Sequence, residues 1–154
     1  RESHGPITES PVTWGIAMRL NHREGGVSSY PSYEELAGGA VIQIHALLQS
    51  GSQRSSRRND KNLRFGVALS DAVRERKFSE NTIRMRLRSC AQAQTFDQLH
   101  QGLIRVIVAV RPDPLNFTDL YYDLLRWQRG AAERRKVIAR WLADFDYNNN
   151  KKGR

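Results

Sequence analysis

Thr95-Phe96-Asp97-Gln98-Leu99-His100-Gln101-Gly102-Leu103-Ile104-Arg105-Val106-Ile107-Val108-Ala109-Val110 is the stretch on which the fold class turns. Its second half, Arg105 to Val110, is dense in β-branched residues, and it is where a strand competes most convincingly with a helix. The first half decides the matter. Thr95 and Gln98 stand at capping-box spacing, and Leu99, Leu103, Val106, Ile107 and Val110 recur at the intervals of one helical face. Pro112 and Pro114 then forbid continuation.

With that stretch helical, the rest of the chain reads the same way. Upstream, Leu36, Ala40, Val41, Ile44, Leu47 and Leu48 share a face of a helix from about Ser32 to Ser50, which Gly51 stops. A second helix from about Asn62 to Glu75 carries a narrow stripe of Phe65, Ala68, Leu69, Ala72 and Val73. Ser79 is an N-cap for a third, whose core face is expected to be Ile83, Leu87, Cys90 and Gln94. Downstream, Asn116-Phe117-Thr118-Asp119 opens a helix ending near Gly130, and a last one buries Val137, Ile138, Trp141, Leu142 and Phe145. The tail from Asn148 to Arg154 is polar, so fraying is expected there. The first thirty residues are broken by Gly, Pro and Ser, and only Trp14, Ile16, Met18 and Leu20 suggest a turn or two of helix.

The expected fold is all-α, a compact bundle of about six to eight helices. Residues 1–154 are read as one domain, or two small packed lobes, with residues 51–61 as a flexible basic loop. At 154 residues and 39% hydrophobic content the core needs no disulfide staples. Cys90 is alone and suits a reducing cytoplasm, where the chain is expected to reside. Arg1-Glu2-Ser3-His4 resembles neither a signal peptide nor an initiator methionine, so the chain is expected to begin as a fragment. No apolar run approaches the length of a membrane span, and no membrane partner is expected.

Charge narrows the function. The 25 Lys and Arg against 16 Asp and Glu leave a net charge of +9, which favours polyanionic partners. The excess is concentrated. Gly51 to Arg88 holds eleven cations against Asp60, Asp71, Glu75 and Glu80, and Arg126 to Arg140 holds six against Glu133 alone. Most are arginines, whose planar fork matches phosphate oxygens. Arg54, Arg57, Arg58 and Lys61 lie in the loop, and Arg84 and Arg88 stand four apart on one helix. Arg134, Arg135, Lys136 and Arg140 share the surface of the last helix. Phosphates repeat along a strand, so spaced cations of this kind suit backbone binding that is salt-sensitive and indifferent to sequence.

Catalytic chemistry is not written in the chain. No nucleophile elbow, Cys-His pair or phosphate-cradling loop is visible, and His4, His22, His45 and His100 lack metal-ligand spacing. No enzymatic activity, metal or cofactor is expected. Asp144 and Asp146 at i, i+2 point to different sides of a helix and read as a solvated helix end. Cys90 reads as a small core residue, and His45 and His100 as surface or packing residues. Trp127, Trp141, Phe145 and the Tyr121-Tyr122 pair could stack on bases, but their helical spacing beside Leu and Ile favours the core.

The order of several local strings resembles the CasB family, the small subunit of the type I-E CRISPR Cascade complex. The strings are Phe65-Gly66-Val67-Ala68-Leu69, Ser79-Glu80, Leu87-Arg88-Ser89 and Phe96-Asp97-Gln98-Leu99. They continue with Pro114-Leu115-Asn116-Phe117, Leu124-Leu125-Arg126-Trp127, Arg134-Arg135 and Trp141-Leu142-Ala143-Asp144-Phe145. The resemblance covers most of the chain from about Tyr33 onward and rests on order and spacing, since each string alone is a helix-core pattern. It implies a non-catalytic helical protein, present in two copies, that contacts guide RNA (crRNA) and target DNA backbones and stabilises the R-loop beside other Cascade subunits. By position it carries the family's basic contacts to the Arg54 to Lys61 loop, Arg88, Arg135 and Lys136. The chain departs from the family at Asn81 and Thr82, where paired arginines are common, and its first helix is expected to be largely missing. Two other readings stay open from the residues alone: a free-standing DNA-binding regulator using Ser79 to Gln94 as recognition helix, and an adaptor for an acidic protein.

Overall fold

A computed structural model describes residues 31–49 and 64–152. Among these residues all regular structure is helical: α1 (Tyr33–Gln49), α2 (Phe65–Glu75), α3 (Glu80–Cys90), α4 (Phe96–Val110), α5 (Phe117–Trp127) and α6 (Ala131–Lys152). The stretch that decided the fold class is a helix throughout. Thr95 caps it by accepting from the Gln98 backbone amide at 3.2 Å. The return half of the capping box goes one residue further back, with Gln98 Oε1 accepting from the Gln94 amide at 2.7 Å. Ser32, Ser79 and Asn116 likewise cap α1, α3 and α5 through their side-chain oxygens. Each satisfies an amide that the first turn leaves without a partner.

Side-chain contacts set the helix directions. Gln128 reaches the Tyr33 carbonyl, while His45 stacks edge-on to Phe117, so α1 and α5 run antiparallel. Arg64 pairs with Asp144 near the start of α2, and Ser70 bonds Asn148 and Asn149 one turn later, so α2 runs parallel to α6. Arg84 meets Asp146 and, further on, the Gln94 carbonyl accepts from Arg134, which lays α3 antiparallel to the same helix. Asp123 to Arg140 and Arg126 to Glu133 do the same for α5. Helix α6 is thus the central strut, flanked by α2, α3 and α5, while α4 packs on α3 and α1.

The buried apolar residues form a single cluster that includes Phe65, Leu69, Ile83, Leu87, Leu103, Ile107, Leu124, Trp127, Trp141 and Phe145. Burial of side chains this size stabilises the fold by about 1.5–3 kcal/mol each. Gly66 brings α2 against the backbone of α6, since a Cβ there would stand 2.7 Å from the Asp144 Cβ and 3.1 Å from the Phe145 nitrogen. Gly130, at φ 136°, supplies the left-handed turn between α5 and α6.

Two sequence expectations are corrected. Gln94 was expected on the core face of α3, but that helix ends at Cys90, and Gln94 lies exposed in the following turn with its amide serving as a donor to Gln98. The polar tail was expected to fray from Asn148, yet α6 continues through Lys152. Asn148 is buried and its amide donates to Ser70 Oγ at 2.9 Å and Asp71 Oδ1 at 3.0 Å. A polar residue is held at the helix end because α2 presents matched polar partners to it.

Candidate nucleic-acid interface

The ten candidate contact residues divide by what surrounds them. Arg54, Arg57, Arg58 and Lys61, the expected basic loop, lie outside the described residues. Arg88 on α3 and Arg135 on α6 are exposed, and their side chains make no hydrogen bond or ion pair with the described residues. Lys136 is also exposed, and its ammonium donates to Glu133 Oε1 at 2.9 Å. These three sit where their helices turn outward, because the inward positions are taken by Leu87 and Cys90 on α3 and by Val137 and Ile138 on α6.

Arg84, Arg134 and Arg140 have internal partners. Arg84 donates through Nε and Nη2 to Asp146 Oδ1, at 3.0 and 2.7 Å, and its guanidinium lies over Phe145. It therefore leans toward α6 while Arg88, one turn along the same helix, stays in solvent. Arg134 lies over the Trp127 ring at 4.3 Å and donates to the Gln94 carbonyl, joining the α3–α4 turn to α6. Arg140 donates to Asp123, which is 3% exposed at its side chain, and lies 3.4 Å from Asp119. Asp123 also accepts from Trp141 Nε1 at 2.8 Å. Burial pushes the Asp123 carboxyl above the usual range, and the Trp141 and Arg140 contacts oppose that rise without cancelling it.

The acids expected at a solvated helix end have more definite work. Asp144 holds Arg64 at 2.8 Å and Asp146 holds Arg84 at 2.7 Å, each tying a different helix to α6. Sequence spacing shows that these acids diverge but not which cations they meet. Trp127, Trp141 and Phe145 are buried, as their spacing indicates, and so are closed to stacking on bases. Tyr122 departs from its expected core position: it is exposed, edge-on to Tyr121 with ring centroids 5.4 Å apart. Burial pushes the Cys90 thiol up to about 11, which suits a packing residue and not a nucleophile. Among the described residues no group of three or more His, Cys, Asp or Glu could hold a metal, and no helix is long and apolar enough to cross a membrane.

The model of the family described as CRISPR-associated protein Cse2 matches residues 1–145. The chain belongs to the Cse2 family. Its members are the CasB small subunits of type I-E Cascade, so the chain is a Cascade subunit and other Cascade subunits are its partners. Neither the curated proteins nor the solved structures contain a match to the chain. The Cse2 match includes the first thirty residues, which carry none of the family-like local strings, and it stops within α6, after Phe145. The last turns of α6, where Asn148 and Asn149 meet α2, lie beyond the matched region.

Proposed function

We propose that this Cse2 chain is a non-catalytic clamp on nucleic-acid backbones, holding guide RNA and target DNA and stabilising the R-loop in antiviral defence within the prokaryotic cytoplasm. The carrying observation is that Arg88 and Arg135 stand exposed without a partner among the described residues, while the neighbouring cations Arg84, Arg134 and Arg140 are tied into the fold. An arginine left unpaired on an acid-bearing surface is available to a phosphate at no cost of breaking an internal bond.

In this reading Arg88 and Arg135 make the first contacts and Lys136 follows as Glu133 releases it, joined by Arg54, Arg57, Arg58 and Lys61 of the basic segment. Arg84, Arg134 and Arg140 contribute field, and contact only through nitrogens their internal partners leave free. Base pairing supplies the sequence specificity, and the protein offsets strand repulsion. A second copy beside the first would continue the same basic surface along the strand. Residues 1–154 act as one small-subunit domain.

Reconstitution tests the assignment. The chain is expected to co-purify with the other Cascade subunits and guide RNA, and to bind single- and double-stranded DNA with an affinity that falls steeply with salt and ignores sequence. Absence of measurable DNA or RNA affinity at low salt would replace this reading by an adaptor for an acidic protein.

A further inference from the structure

Glu133 is the only acid in the Arg126 to Arg140 run, and it sits among that run's cations. Its Oε1 accepts from Lys136 Nζ at 2.9 Å, and its Oε2 lies 3.7 Å from Arg126 Nε. The Lys136 hydrogen bond, followed by the fields of Lys136, Arg126 and Arg129, holds its carboxyl below the usual range. Arg126 comes from the last turn of α5, Arg129 from the turn that follows, and Lys136 from α6. An ordinary i, i+3 surface pair would need only one of these cations. Here two oxygens of one anion face cations from two helices, which is how two non-bridging oxygens of a phosphodiester are held.

We propose that Glu133 is an internal stand-in for a nucleic-acid phosphate: it occupies an anion site formed by Arg126 and Lys136, and a backbone phosphate enters by displacing its carboxylate. The site adds Arg126 to the contact set and gives Glu133 a regulatory role. While the carboxylate is in place, the free chain binds stray nucleic acid weakly. A strand already held nearby by neighbouring subunits is at high local concentration and can displace it. The inference rests on the backbone-clamp reading above.

The test compares binding of a fluorescent oligothymidine strand by the full chain and its variants across a salt titration. E133Q is expected to raise affinity on the order of three- to tenfold at low salt and to steepen the salt dependence by about 0.7 for each phosphate contact recovered. E75Q removes the same charge from an exposed acid at the end of α2, so its gain is expected to stay below about twofold. In a chain already carrying R126Q and K136Q, adding E133Q is expected to gain no more than E75Q does. If the wild-type chain binds and E133Q gains no more than E75Q, the stand-in is overturned while the clamp survives. Binding by neither chain overturns both.

Discussion

Gly66 on α2 faces the backbone of α6 at Trp141 so closely that there is no room for a side chain between the two helices. The approach is set by the partner's main chain, which cannot swing aside as a flexible side chain could. It also places Arg64 within 2.8 Å of Asp144 and Ser70 beside Asn148, so one contact aligns the whole pair.

G66A is accordingly expected to destabilise the fold by about 2–3 kcal/mol, because overpacking outweighs the gain in helix propensity. Urea denaturation followed by circular dichroism reads this as a lower midpoint with unchanged slope. A midpoint equal to wild type would mean that α2 and α6 are not in such close contact.

The Asp123–Arg140 pair is expected to behave as a buried ion pair with one exit to solvent. R140M leaves Asp123 with Trp141 as its donor in a buried setting, at a cost of about 3 kcal/mol near neutral pH. The folded carboxyl is already raised above its unfolded value, and losing Arg140 raises it further. A raised folded value means that the folded state takes up the proton first, so the variant should regain stability as pH falls. Adding D123N to R140M removes the stranded charge and should recover part of the loss even at neutral pH.

His100 predicts the opposite slope. It is 1% exposed and neither ring nitrogen has a hydrogen-bond partner among the described residues. Burial pushes its ring down to about 4 from 6.5, with Asp97 opposing the shift. Between those values the unfolded chain binds a proton that the folded chain refuses, so stability is lost as pH falls from 6.5 toward 4, by up to roughly 3 kcal/mol. H100L should abolish this component. The difference between wild-type and H100L stability curves isolates it from the carboxylates, and a flat difference across the window would show that His100 is not buried as described.

Charge reversal of Arg135 and Lys136 separates function from fold. The double variant R135E K136E is expected to weaken binding to every DNA and RNA sequence alike and to lower the salt slope by about one to two. Both side chains are exposed, so the helical circular dichroism should not change. Unfolding of the variant would place these side chains in the structure and not at the interface.

The helices were legible because their signals are local. Thr95, Ser79 and Asn116 cap where their side chains can reach an amide three residues on, and the apolar face of Leu99 to Val110 needs nothing beyond the spacing of one turn. The basic character of the chain and its two charge-rich segments were equally plain, as was the burial of Trp127 and Trp141.

What only the tertiary structure decided is which charges remain available. Arg84 and Arg88 share a helix and a spacing, yet Asp146, sixty-two residues away from Arg84, ties one down and leaves the other in solvent. Asn148 reads as a frayed end until α2 brings Ser70 and Asp71 alongside it. Glu133 reads as one acid in a basic run until α5 folds back to put Arg126 against its second oxygen. Helix formation follows from neighbours in sequence, whereas the pairing of a charge depends on what the packed helices place within about 4 Å of it, a distance no single segment determines.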